Sequence, residues 1–233
     1  MKKYKHLFFD MDKTIAPSRQ PIHEKMHTLL TETPHDITIV SGQLCEKIEW
    51  QSNKLYAAYL GQNGNHALCE ENNEIWHTPL TEKEVAEIKG HIDQLRELLD
   101  EQPNEEYNPV ENRGAQITFS PVGNTAPVEL KKSYDPDASK RLKLLKDAPF
   151  ESETIMAVIG GSTSIDYVPK KRHKGTNVAK YIEYKGWNKD ACIYFGDGLY
   201  PGGNDEFVIG VIETVLVTDE EDCYQKVKKL VSE

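Results

Sequence analysis

Leu7-Phe8-Phe9-Asp10-Met11-Asp12-Lys13-Thr14 sets an uninterrupted apolar run against two aspartates one residue apart. Apolar residues stay continuous in a strand when both faces of its sheet are covered, so residues 7–9 predict a buried strand of a parallel sheet. The chain must turn where the run stops, and ligands of open parallel sheets collect outside the C-terminal ends of the strands. Two carboxylates held there repel each other unless a cation or a proton separates them. On its own Asp-x-Asp is a cheap pattern, and a strand followed by an acidic, solvated turn explains it equally well.

Outward from that stretch, residues 22–30 carry Ile22, Met26, Leu29 and Leu30 at helical spacing. The β-branched run at 36–40 predicts a second strand ending at Ser41-Gly42, followed by a helix over 43–50. Residues 55–60 predict a third strand, closed by the turn-forming Gly61-Gln62-Asn63-Gly64-Asn65. Strand and helix alternate, as in βαβ units of a doubly wound parallel sheet. The rhythm then changes. Thr81-Glu82-Lys83-Glu84 reads as the N-cap of a long amphipathic helix through Val85, Ile88, Ile92, Leu95 and Leu99. Strands over 115–120, 154–159 and 162–168, with a helix over 137–146, predict a separate α+β unit. From Gly175 the α/β rhythm returns: helix 176–184, strand 191–195, strand 214–217 and helix 220–231. The expected architecture is a core domain of residues 1–82 and 172–233 with an α+β domain, 83–171, inserted near Pro79 and Pro169.

The chain has 233 residues, 28% charged and 38% hydrophobic, which suits a folded globular protein. Its net charge of −10 disfavours general binding to nucleic acid, which rests on neutralising phosphates. No apolar run approaches the roughly 18–20 residues needed to span a membrane. Behind the basic start Met1-Lys2-Lys3-Tyr4-Lys5-His6 stands only a three-residue apolar run, too short for a signal peptide. Cys45, Cys69, Cys192 and Cys223 show no C-x-x-C spacing and are expected to be reduced thiols of a cytoplasmic protein. The eight histidines show no paired spacing, and none is read as a ligand.

Four pieces fall at predicted strand ends or just past the insertion: Asp10 with Asp12, Ser41, Lys174, and Asp197 with Asn204-Asp205. Each is weak alone; in this order they form a strong signal. Asp10 is a carboxylate placed to attack phosphorus, giving an aspartyl-phosphate. Asp12 reaches the leaving-group oxygen as general acid and later activates water. Ser41 donates to a phosphoryl oxygen, and Lys174 neutralises charge on that group and on Asp10. Asp10, Asp12, Asp197, Asn204 and Asp205 supply hard oxygen ligands of the kind Mg²⁺ takes. Capping of the next helix is the plainer explanation of Asn204-Asp205, and the run 170–174 reads equally as a basic hinge.

These motifs resemble the four of the haloacid dehalogenase superfamily of phosphotransferases, and the insertion matches the position of its α/β cap, as in subfamily IIB. The likeness extends over nearly the whole chain to the eukaryotic-type phosphomannomutases. It runs through Pro17-Ser18-Arg19-Gln20, Asn112-Arg113, Ser120-Pro121-Val122-Gly123, Ser164-Ile165-Asp166-Tyr167-Val168-Pro169 and Pro201-Gly202-Gly203-Asn204-Asp205. The resemblance implies that Arg19, Arg113, Ser164 and Asp166 contact a sugar phosphate, with Gly42 beside Ser41. It also implies a cap that closes over the crevice, and a homodimer formed through that cap. Two departures stand out. Lys13 replaces the usual glycine, and Asn124 replaces an arginine after the Pro-x-Gly turn, with Lys131 or Lys132 where a second arginine is expected. A mutase must hold a bisphosphorylated intermediate by its distal phosphate, for which paired arginine forks serve well. Hydrolysis needs no such grip. The expectation is a Mg²⁺-dependent phosphohydrolase, with a phosphomannomutase as its rival and a catalytically silent sugar-phosphate binder behind both.

Overall fold

A computed structural model describes residues 4–232; the first three residues of the basic start read above lie outside them. In chain order the elements are β1 (His6–Phe9), α1 (Glu24–Glu32), β2 (Asp36–Val40), α2 (Cys45–Gln51), β3 (Ala58–Gly61), β4 (His66–Leu68) and β5 (Glu74–His77). Next come α3 (Glu82–Glu97), β6 (Val110–Asn112), β7 (Ile117–Phe119), α4 (Val128–Tyr134), α5 (Ser139–Asp147), β8 (Ile155–Gly160) and β9 (Ser164–Pro169). The chain ends with α6 (Lys174–Lys185), β10 (Cys192–Gly196), β11 (Glu213–Leu216) and α7 (Glu220–Ser232). They divide into two compact units, one running to Thr78 and resuming at Arg172, the other Pro79–Lys171. Residues 79–82, read above with the core, belong to the second unit. There Leu80 N–H donates to the Gly114 carbonyl at 2.9 Å, and Thr81 and Glu84 form a reciprocal capping box at the start of α3.

The first unit is a seven-stranded sheet in the order β11-β10-β1-β2-β3-β4-β5. Strands β11 through β3 are parallel, and β4 and β5 pair antiparallel at the end. Alternation along β1 explains its continuous apolar run. Leu7 and Phe9 enter a cluster with Met26, Ile48 and Val227, while Phe8 enters another with Val178, Tyr181 and Tyr194. Both faces are therefore covered, as the sequence implies. Strand β3 begins at Ala58, three residues later than the apolar run suggests, because Asn53 and Lys54 turn the chain with φ of 54° and 55°. Hairpin β4–β5 and helix α4 are not predicted from the sequence; the hairpin is short, polar and interrupted by a bulge.

The second unit is a four-stranded antiparallel sheet, β6-β7-β9-β8. Ile88, Ile92 and Leu95 of α3 pack with Leu144 of α5 on Ile117, Phe119, Ile155, Ile165 and Tyr167. A buried ion pair fixes one end of it. Arg141 Nε donates to Asp135 Oδ2 at 2.7 Å, and its Nη1 donates to the carbonyls of Gly160, Ser164 and Gly161. The same carboxylate accepts the Lys140 and Arg141 N–H groups at the start of α5. Among the described residues no helix is long and apolar enough to cross a membrane. All four cysteines are free thiols.

Candidate active site

Strand β1 lies between β10 and β2, where the sheet's chain order departs in two directions, so the C-terminal ends of these strands open on a common crevice. Asp10 leaves β1 with its N–H donated to the Phe195 carbonyl at 2.9 Å. Ser41 leaves β2, Asp197 leaves β10, and Lys174 is the first residue of α6. The structure thereby brings together Asp10, Lys174, Asp197 and Asp205. Lys174 Nζ donates to Asp10 Oδ1 at 2.7 Å and to Asp205 Oδ1 at 2.6 Å. One carboxylate oxygen from each of Asp10, Asp197 and Asp205 lies within 4.8 Å of the others.

Asp205 is held on every side. Its Oδ1 also accepts the Tyr194 hydroxyl at 2.7 Å, and its Oδ2 accepts the Gly198 N–H at 3.1 Å. With both oxygens engaged, Asp205 orients Lys174, and Asp10 and Asp197 keep oxygens for a ligand. Gly203 of this loop is a packing requirement, since a Cβ there would stand 2.1 Å from the Gly198 carbonyl oxygen. Thr14, fully buried, accepts the Asp197 N–H at 3.1 Å and so ties the first motif to the last.

Burial pushes the Asp10 carboxyl above its ordinary value; Lys174 pulls it down, while Asp205 and Asp197 push it up again. Asp197 is raised by burial and by Asp205, against Lys13 and Lys174. Burial would lower the Lys174 ammonium, but Asp10 and Asp205 overcome it and raise its pKa. Burial and the same carboxylates keep Tyr194 protonated, so it can only donate to Asp205. Three carboxylates thus share one buried ammonium, with exposed Lys13 acting on Asp197. The unbalanced charge and the all-oxygen donor set fit a hard divalent cation such as Mg²⁺, held by Asp10 and Asp197.

The Asp12 carboxylate is not among the three that gather here. Its Oδ1 accepts the Arg19 N–H at 2.6 Å and Gln51 Nε2 at 2.9 Å; its Oδ2 accepts Gln43 Nε2 at 2.7 Å. Arg19 is exposed and serves Asp12 through its backbone. Ser41 is buried, and its hydroxyl accepts the Gln43 N–H at 3.2 Å, with Gly42 half-buried between them. Asn204 is exposed, its Oδ1 against Gly198, where a Cβ would come within 1.9 Å.

Arg113, Ser164 and Asp166 belong to the second unit. Asp166 pairs across the sheet with Thr118 and Val158. Its Oδ1 is buried without a hydrogen-bond partner, and burial raises its pKa against the pull of Arg113 and of the Thr118 and Ser164 hydroxyls. Arg113 also pairs with Glu111 at 2.7 Å. The sequence reading missed Gln43, Gln51 and Tyr194. Gln51 is fully buried in an otherwise polar stretch, and Tyr194 reads as one more apolar residue of β10. Only Gln43, two residues past Ser41, carried a positional signal.

Comparison with known proteins agrees with this geometry. The family model for haloacid dehalogenase-like hydrolases matches residues 7–205. A phosphomannomutase of Encephalitozoon cuniculi is 27% identical, covering 94% of this chain and 90% of its own. A probable phosphomannomutase of Caenorhabditis elegans is 26% identical, covering 97% and 95%. The fold resembles that of SMU.1108c from Streptococcus mutans, with a TM-score of 0.69 at 15% identity over 99% of this chain and all of the other.

Proposed function

This chain belongs to the haloacid dehalogenase-like hydrolases, and from that premise we propose that it is a Mg²⁺-dependent phosphohydrolase of a small phosphorylated metabolite, a hexose phosphate. The observation that carries this reading is the division of labour between the two aspartates. Asp10 is bonded to Lys174 in the carboxylate cluster, while Asp12 is held separately by two glutamine amides and a backbone N–H.

In the first step Asp10 attacks phosphorus and the bond from phosphorus to the leaving oxygen breaks. Asp12 gives that oxygen its proton. In the second step Asp12 takes a proton from water as it attacks the aspartyl-phosphate, releasing phosphate and restoring Asp10. Ser41 donates to a phosphoryl oxygen, and Lys174 pulls the Asp10 carboxyl toward its ionised form against burial and offsets charge on the transferring group. Asp10 and Asp197 would hold Mg²⁺, which would further neutralise the phosphoryl oxygens.

Hydrolysis is favoured over mutation by the fate of the position where the resemblance expects an arginine fork. Asn124 is buried, and its amide donates to the Asn108 and Pro109 carbonyls at 3.0 and 3.2 Å. The Lys131 ammonium donates to the carbonyl of Asn124 itself. Both side chains are tied into the turn. Phosphomannomutase is the second reading, supported by the names of the relatives. Self-association through the second unit is proposed as well; its exposed Val128, Leu130 and Leu142 offer apolar surface. Sedimentation at only the 26.5 kDa of one chain, at every concentration, would count against it.

The test is incubation with Mg²⁺ and mannose 1-phosphate, with and without glucose 1,6-bisphosphate. Free phosphate released without the bisphosphate is the expected result. Mannose 6-phosphate formed only with the bisphosphate would establish the mutase instead.

A further inference from the structure

Hairpin β4–β5 gathers a second set of metal-ligating side chains, none of them part of the Asp10 cluster. His66 and His77 are cross-strand partners with rings stacked at 4.4 Å and 27°. Glu74 Oε2 stands 3.2 Å from His66 Nε2. One ligand atom from each of His66, Glu74 and His77 lies within 4.8 Å of the other two. Three residues apart on a regular strand, Glu74 and His77 would face opposite sides of the sheet. A bulge reverses this: Ala67 pairs with Trp76 and Leu68 with Glu74, so Ile75 is the extra residue and Glu74 joins the face of the two histidines. No spacing rule finds such a set, because the bulge that makes it also breaks the spacing.

We propose that His66, Glu74 and His77 bind a late first-row divalent cation, Zn²⁺ foremost, at the edge of the sheet. Two imidazoles and one carboxylate leave a fourth tetrahedral position for water or a partner's ligand. Ligand atoms about 2.1 Å from a tetrahedral ion stand about 3.4 Å apart, and the His66–Glu74 pair is already at 3.2 Å. Glu74 and His77 are exposed, so the ion has access and His77 can swing inward. Glu46 of α2 adds negative potential beside His66. On the other face Ala67 and Trp76 pack with Tyr181, giving the ligands a fixed base. Strand β5 ends the sheet, so the ion would pin its outermost pair of strands. Nitrogen donors select against Mg²⁺, so the two sites differ in the metal they take.

The test is calorimetric titration of Zn²⁺ into the chain carrying Asp10→Asn and Asp197→Asn, which disables the carboxylate cluster. One equivalent should bind, and adding His77→Gln or His66→Gln should weaken it at least about tenfold by removing one of three protein ligands. Cys69→Ser, in the turn of the same hairpin, should leave affinity unchanged. Absence of Zn²⁺ binding in the background, equal binding after His77→Gln, or loss on Cys69→Ser would each overturn the assignment. In the otherwise unaltered chain, His77→Gln should leave Mg²⁺-supported hydrolysis intact. A parallel loss of hydrolysis would mean that the hairpin serves the first site rather than a second one.

Discussion

Each unit buries an ion cluster, and the two are built to opposite rules. In the second unit Arg141 meets one carboxylate, Asp135, and spends its remaining donors on the backbone carbonyls of Gly160, Gly161, Ser164 and Asp135. Burial would raise Asp135, but Arg141 and the two N–H groups at the start of α5 outweigh it and hold its pKa below the usual value. In the first unit Lys174 meets two carboxylates with a third close by, and Asp10 is raised instead. Charge that is balanced and fully hydrogen-bonded serves as scaffold. Charge left in excess suits the cation and phosphoryl group proposed for this site.

The sharpest break in this contrast is Asp10→Asn. Turnover should fall by about 10⁴-fold or more, since the change removes the proposed nucleophile. The melting temperature should hold or rise, because one of the competing carboxylates is removed; steady-state kinetics and a thermal melt read both. Arg141→Met should do the reverse, leaving Asp135 buried without its cation and destabilising the second unit by about 3–5 kcal/mol in urea denaturation. Activity per folded molecule is not where that loss is read. A smaller effect is expected of Gln51→Leu, which removes one of three donors to Asp12. It should lower kcat about tenfold with KM little changed, as a misplaced acid–base group would.

The smallest effect concerns a buried group that stays neutral. His91 Nε2 lies 2.8 Å from the Ala148 carbonyl, which can only accept, so Nε2 carries the proton and Nδ1 accepts the Tyr167 hydroxyl at 2.7 Å. Burial lowers its pKa below 6.5. The unfolded chain therefore takes up this proton first, and the contribution to stability is complete above about pH 6.5 and lost as pH falls below it. Melting temperatures of the parent chain and His91→Gln should converge as the pH falls from 7 toward 5.

What was legible in the sequence is what is local. Asp10, Ser41, Lys174 and Asp197 each sit at a strand end or helix start marked by its own composition, and parallel topology brings those ends to one edge of the sheet. What was hidden is what depends on burial or register. Gln51 reaches Asp12 only because α2 carries it back to the crevice, and the Asp12 carboxylate is held apart from Asp10, Asp197 and Asp205 by those amides. Tyr194 is indistinguishable from its apolar neighbours in β10 until Asp205 is seen against its hydroxyl. Hairpin β4–β5 escaped because one extra residue erased the alternation that marks a strand.

The central claim is that Asp10, and not another carboxylate of the crowded cluster, becomes phosphorylated. Acid-quenched protein, taken during turnover of a hexose phosphate with Mg²⁺, should carry a phosphoryl group on the peptide containing Asp10 when mapped by mass spectrometry. The label should vanish in Asp10→Asn, and in Asp12→Asn, where leaving-group protonation and water activation both slow, any label that forms should still map to Asp10. Turnover with no covalent phosphate, or with the label on Asp12, Asp197 or Asp205, would contradict the account.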